Sequence, residues 1–308
     1  MPDNGPHLTT PLDVRTSESP GWFTSALATL PEQGATAVDG ATIVYRAWGE
    51  PGGPGIVLVH GGAAHARWWD HIAPLLVEGH RRVVAVDLSG HGDSDHRASY
   101  SLDTWAMEAL AVGGAAGITS PPVMIGHSMG GFVTLRTATL FGARLSGAVV
   151  VDSPVRELTP EESAARAGVA FGPLRVYPTF EDGLRRFRPV PDQPVLDYIA
   201  AYVAEHSLRR VDGGWAWKFD PNIFGRAHLT PSLLTRLECR VALFRGEHGI
   251  LSQQMTDVMY DKMGRVAPVI EIPDAGHHIM LDQPLALVTA LRTLLSDWDH
   301  SRPISSPM

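Results

Sequence analysis

Gly126-His127-Ser128-Met129-Gly130 stands directly after the apolar run Val123 to Ile125 and directly before a helical stretch that begins near Gly131. The pattern is G-x-S-x-G at a strand-to-helix junction. A turn this sharp holds Ser128 in a strained backbone conformation, and a Cβ on either flanking glycine would collide with the crossing segments. The strain leaves the Ser128 hydroxyl exposed at a helix N-terminus, where the dipole and free N–H groups favour the negative charge that develops in acyl transfer. The competing reading of Ser128 is an ordinary helix N-cap.

Outward from this junction the chain keeps the same rhythm. Ile56 to Val59 reads as an interior strand preceded by a hairpin that includes Thr42 to Tyr45. The runs Val83 to Val86, Ala148 to Val151, Val241 to Phe244 and Val269 to Ile272 are continuous rather than alternating, which predicts strands buried on both faces. Helical patterns at Trp69 to Glu78, Leu102 to Ala116, Gly130 to Leu140 and Pro284 to Trp298 separate most of them. The expected fold is therefore α/β, a mostly parallel central sheet flanked by helices. Residues 154–237 break the rhythm with helical patterns such as Val195 to Glu205 and no buried strand. They read as a helical cap inserted into a core formed by residues 21–153 and 238–300, while residues 1–20, rich in Pro, Ser, Thr and Asp, read as a flexible arm.

Bulk properties narrow the function. The 308 residues are 44% hydrophobic and 19% charged, the make-up of an autonomously folding globular chain. A formal charge of −8 with no Lys/Arg cluster argues against a nucleic-acid partner and for a small-molecule substrate. Cys239 is the single cysteine, which rules out an intramolecular disulfide framework and fits a reducing compartment. The opening MPDNGPHLTTPLD has no secretory pattern and no stretch reaches membrane-spanning length, so a cytoplasmic location without membrane association is expected. Both a monomer and a homodimer fit. Fourteen histidines form no H-x-x-x-H pair, and neither a P-loop nor a strand-linked G-x-G-x-x-G is present, so no metal or other cofactor is expected.

His60-Gly61-Gly62, Asp87-Leu88-Ser89-Gly90-His91-Gly92-Asp93-Ser94, the Ser128 junction and Gly276-His277-His278 occur in that order. Together, over about Trp22 to Trp298, they resemble the α/β-hydrolase superfamily. The resemblance implies Ser128 as nucleophile and an oxyanion hole from the backbone N–H groups of Met129 and Gly62, with Ala63 as the alternative to Gly62. Independently, glycines 61 and 62 after a buried strand let the backbone approach a ligand, although they equally suit a plain tight turn. His277 follows the run Val269 to Ile272 through Pro273-Asp274-Ala275-Gly276, a loop able to carry an imidazole over a sheet edge as general base. His278 competes for that role, and the resemblance favours the residue immediately after glycine.

The acid that orients the base is less obvious. The resemblance places an aspartate about where Gly249 stands in Gly246-Glu247-His248-Gly249-Ile250. Two carboxylates could substitute. Asp152 ends the strand after the nucleophile strand, a position that some members of the superfamily use, and Glu247 lies on the expected loop. Asp152 is preferred because a sheet edge positions it, its plainer reading being a turn cap.

Trp68, Trp215, Trp217 and Phe219 are candidates for a substrate pocket, and the aromatics near the end of the inserted segment, Phe224 among them, could equally form its core. His91 and His127 read as structural, and His65 with Arg67 as either an entrance or a solvated face. The expected activity is hydrolysis of a carboxylic ester or lactone through acyl-Ser128. Carbon–carbon bond hydrolysis and perhydrolysis use the same three groups, and a receptor-like binding protein with little turnover is the alternative of a different class. A serine rather than an aspartate at position 128 argues against epoxide and haloalkane chemistry.

Overall fold

The computed structural model describes residues 19–78, 81–157, 159, 174–225 and 229–301. The expected arm therefore lies outside the described residues but for its last two positions, as does the side chain of Phe224. In chain order the elements are α1 (Gly21–Ala28), β1 (Glu32–Val38), β2 (Ala41–Trp48), β3 (Gly55–Val59), β4 (Arg82–Val86), α2 (Leu102–Ala115), β5 (Val123–His127), α3 (Met129–Phe141) and β6 (Gly147–Val151). Then follow α4 (Phe180–Leu184), α5 (Asp197–His206), β7 (Leu208–Val211), β8 (Gly214–Trp217), β9 (Arg240–Gly246), α6 (Gln253–Lys262), β10 (Val269–Ile272), α7 (Ile279–Asp282) and α8 (Pro284–His300).

Eight strands form one sheet in the order β1-β2-β4-β3-β5-β6-β9-β10. Only the pairings of β2, with β1 and with β4, are antiparallel. Strands β3, β4, β5 and β6 are buried along their whole length, as the continuous apolar runs predict. Alternate residues feed opposite layers. Val57, Val59 and Val150 pack with Trp105 and Val133, while Ile56, Leu58 and Val149 pack with Ile199 and Leu291. After β3 the chain turns to β4 on one side and then crosses to β5 on the other. This reversal opens a crevice at the carboxyl ends of β3 and β5, the place where open α/β sheets bind ligands.

Three expectations need correction. The helix predicted over Trp69 to Glu78 is two short 3-10 turns, Ala66–Trp69 and Ala73–Leu76, the second with Pro74 at its start. A proline lacks the N–H that a continuing helix needs. Strand β10 is an edge strand exposed at Val269 and Glu271, because β9 covers one side only. The segment after β6 contains a hairpin, β7 and β8, turned by Gly213 and Gly214 at positive φ. Its four-residue strands are too short to register as periodicity, although Asp212-Gly213 was a turn signal. No helix among the described residues is long and apolar enough to cross a membrane.

Burial lowers the pKa of His60 and His71 to about 4, and that of His278 to about 3 with the help of neighbouring His277. A depressed folded-state value means that the neutral form stabilises the fold above the ordinary 6.5 and that this stability is lost as pH falls below it. Asp87, raised to about 6 by its own burial, and Glu108 and Asp282, raised by theirs, act in the opposite sense, but burial also lowers His65, His91 and His127, so the histidines outnumber them. At about 1.4 kcal/mol per group and pH unit, denaturant unfolding at pH 4.5 is expected to show several kcal/mol less stability than at pH 7. An unchanged unfolding free energy would contradict it.

Candidate active site

The register of the sheet sets two side chains of the site at one level. His127 of β5 pairs with Val151 of β6, and Val151 with Phe244 of β9, so Ser128 and Asp152 leave the carboxyl edge side by side. Ser128 has φ 53 and ψ −118, a conformation costing a non-glycine residue about 1–3 kcal/mol. The flanking glycines permit it. A Cβ on Gly126 would lie 2.0 Å from the Gly130 carbonyl oxygen, and one on Gly130 2.4 Å from the Val59 carbonyl oxygen. Ser128 is half-buried, at the N-terminus of α3, with no side-chain capping bond to the helix.

Ser128 Oγ lies 3.0 Å from His277 Nε2, and His277 Nδ1 lies 2.7 Å from Asp152 Oδ2. An ionised carboxylate only accepts, so Nδ1 carries the proton and Nε2 is left to accept from the serine hydroxyl. Both His277 and Asp152 are buried. Asp152 is fixed by backbone N–H groups of Gly246, Ile250 and Leu251 at 3.3, 2.9 and 3.4 Å. The absence of an acid at position 249 has a direct cause: a Cβ there would sit 2.2 Å from Asp152 Oδ1. Glycine at 249 and aspartate at 152 are thus one arrangement. Gly249→Ala is expected to displace the carboxylate and lower kcat at least about tenfold while the fold persists, as read by ester hydrolysis and circular dichroism.

Glu247 is placed elsewhere. It is exposed, and its Oε2 accepts the Asp274 backbone N–H at 2.9 Å, bracing the loop that carries His277. Glu247→Gln is therefore expected to change kcat less than about threefold; a loss of orders of magnitude would move the acid to Glu247.

The His277 loop is clamped by residues that sequence reading missed. Asp282 Oδ2 accepts from Gly276 N at 2.6 Å and from Gln193 Nε2 at 2.7 Å, and Gln193 Oε1 accepts from His278 N at 2.8 Å. No local pattern marks Gln193, which reaches the loop from 85 residues away. His127, read from sequence as structural, donates from Nε2 to the His277 carbonyl at 2.9 Å, and burial holds its pKa well below the usual value.

On the opposite wall, a Cβ on Gly61 would stand 3.3 Å from Ser128 Cβ, so the loop after β3 lies against the serine. His60 fixes that loop: Nδ1 donates to the Gly61 carbonyl at 2.8 Å while Nε2 accepts from Leu88 N at 3.1 Å. Asp87 accepts from Ala66 N at 2.6 Å and Asp93 N at 2.9 Å, and a Cβ on Gly92 would collide with its carboxylate. The Asp87 to Ser94 motif thus braces the crevice rather than entering it.

A cavity of about 430 Å³ opens beside these groups, with Gly62, Ala63 and His278 on its wall. Of the aromatic candidates Trp68, Trp217 and Phe219 line it, and Trp215 does not. Trp215 instead packs edge-on against Phe180 at 4.8 Å between ring centres. His65 is neither an entrance nor a solvated residue; it is buried, with Nε2 2.8 Å from Ser207 Oγ.

Among the described residues His127, His277 and His278 bring ring nitrogens within 4.8 Å of one another. His277 commits both nitrogens to Ser128 and Asp152, and His127 commits Nε2 to a carbonyl, which leaves His278 Nδ1 as the one buried atom of the group without a partner. That donor set does not converge on a metal.

Residues 56–291 match the model of a family described as the alpha/beta hydrolase family. A Mycobacterium tuberculosis protein named as an esterase is 27% identical over 84% of this chain and 88% of its own length. A lipase of the same organism is 26% identical over 80% of this chain and 95% of its own length. Among solved structures, a thioesterase domain from the curacin biosynthetic pathway superposes with a TM-score of 0.71 at 21% identity, over 85% of this chain and 99% of that one.

Proposed function

The chain belongs to the alpha/beta hydrolase family, and from that premise we propose that it is a serine hydrolase cleaving a carboxylic ester or lactone through an acyl-Ser128 intermediate. The observation that carries the reading is the continuous contact Ser128 Oγ to His277 Nε2 to Asp152, at 3.0 and 2.7 Å. As Ser128 Oγ attacks the carbonyl carbon, His277 Nε2 takes its proton, and buried Asp152 stabilises the resulting imidazolium. The carbonyl oxygen becomes an anion that meets the N–H of Met129, first residue of α3, and that of Gly62 or Ala63. Collapse breaks the ester C–O bond, and His277 returns the proton to the departing alcohol. Water then attacks the acyl-enzyme with His277 again as base, which releases the acid and restores Ser128.

Both mycobacterial relatives bear names of ester-cleaving enzymes, which supports the ester class. On this reading the described residues of 154–237 belong to a cap on a core of 21–153 and 238–300, and its Trp217 and Phe219 shape the substrate pocket together with Trp68 of the core. A receptor with little turnover was favoured by one feature, the missing acid at 249, and Asp152 accounts for that. The test is steady-state hydrolysis of 4-nitrophenyl butyrate. Saturable turnover well above the buffer rate is expected, and none across a panel of esters, lactones and diketones would refute the reading.

A further inference from the structure

The cavity beside Ser128 carries a charge pattern for which ester cleavage itself has no use. Arg175, Arg186 and Arg188 line it, and among the described residues no Asp or Glu does. Among the described residues none of the three meets a carboxylate. Arg175 lies over the Tyr177 ring, 6.0 Å from its centre, and Arg188 donates to the Phe187 carbonyl at 2.6 Å. Several arginines elsewhere are paired, Arg46 with Asp70, Arg97 with Glu108, and Arg185, next in sequence to Arg186 but outside the cavity, with Asp182. In a chain with a formal charge of −8, three guanidinium groups around one concavity thus have no carboxylate partner among the described residues.

His278, which also lines the cavity, is held neutral by burial and by its neighbour His277. Trp68, Phe187 and Trp217 supply apolar walls. A cleft with cations of one sign and low-dielectric walls concentrates counter-ions, and the planar guanidinium fork matches the two oxygens of a carboxylate or phosphate. One exposed pair contributes little, whereas three cations facing the same space act on the same ligand. Gly62 and Ala63 lie on the wall of this same cavity and directly follow Gly61, where a Cβ would stand 3.3 Å from Ser128 Cβ, so the cavity and Ser128 share one loop.

We propose that this cavity selects substrates carrying an anionic group, a carboxylate or a phosphate, that docks on Arg175, Arg186 and Arg188 while the scissile carbonyl sits at Ser128. The proposal rests on the serine-hydrolase reading above.

Two matched pairs test it and separate the two sources of charge: mono(4-nitrophenyl) adipate against 4-nitrophenyl hexanoate, and butyryl-phosphopantetheine against butyryl-pantetheine. At low salt kcat/KM is expected to be at least about tenfold higher for the anionic member of one pair. That ratio should fall towards one at roughly 0.5 M NaCl and in the R175Q/R186Q/R188Q variant, and Arg186→Lys should retain most of it. Preference within the adipate pair assigns a carboxylate, and within the pantetheine pair a phosphate. Turnover with no anionic preference in either pair overturns the proposal, as does a preference that survives loss of all three arginines. If nothing turns over, it is the hydrolase reading that fails. Calorimetric binding of monomethyl adipate and methyl hexanoate to Ser128→Ala then decides the anion site, tighter binding of the anion supporting it and equal affinity overturning it.

Discussion

Ser128→Ala is expected to lower kcat/KM for 4-nitrophenyl butyrate by about 10⁵-fold or more, because on the proposed mechanism it removes the nucleophile of a unit that acts together, which costs nearly as much as removing the whole unit. The fold should not suffer. The hydroxyl is half-buried, and the hydrogen bond it makes, to His277 Nε2, joins two side chains rather than the backbone. Thermal unfolding within a few degrees of the parent, beside lost turnover, is therefore the expected pair of readings. Activity within tenfold of the parent would mean that another group attacks the ester.

Asp152→Asn carries the second-largest expected effect, a fall in kcat of about 10⁴-fold. An amide is nearly isosteric, yet if its NH2 faces His277 Nδ1, the imidazole must expose a protonated Nε2 to Ser128 and can no longer accept the hydroxyl proton. The same geometry offers a rescue. Position 249 points its Cβ at the space that the Asp152 carboxylate fills, with 2.2 Å to Oδ1. Removing one carboxylate while supplying the other, in Asp152→Gly with Gly249→Asp, is expected to recover at least tenfold of the activity that Asp152→Gly alone loses, a modest return because the new acid lacks a preformed set of backbone donors. No recovery would mean that the strand-end position itself, not the presence of an acid, is what His277 requires.

Sequence reading went furthest where a physical demand is local. The Ser128 junction needs glycine at 126 and 130 within five residues, and the collisions that a Cβ would cause there are the reason the pattern could be read at all. Strands β3 to β6 could be read because burial on both faces leaves uninterrupted apolar runs. The carboxylate beside His277 was half legible: Asp152 ends β6, but the reason for glycine at 249 exists only where two loops meet in space. Gln193 and Asp282, which hold the His277 loop, belong to segments with no sequence signal linking them. Trp215 and Trp217 look equivalent in the sequence, two residues apart on β8, and only packing sends one to Phe180 and the other to the cavity. The hairpin and the proline-split turns near Trp69 failed for a related reason, since elements of four residues carry too few positions to show a period.

The most direct measurement is the mass of the protein after reaction with a fluorophosphonate, which phosphonylates a serine that a neighbouring base has activated. The account predicts one adduct per chain, mapped by peptide sequencing to Ser128, formed in step with loss of esterase activity and absent from Ser128→Ala. An unlabelled Ser128 in protein that still hydrolyses esters, or an adduct on another residue that abolishes activity, would contradict it.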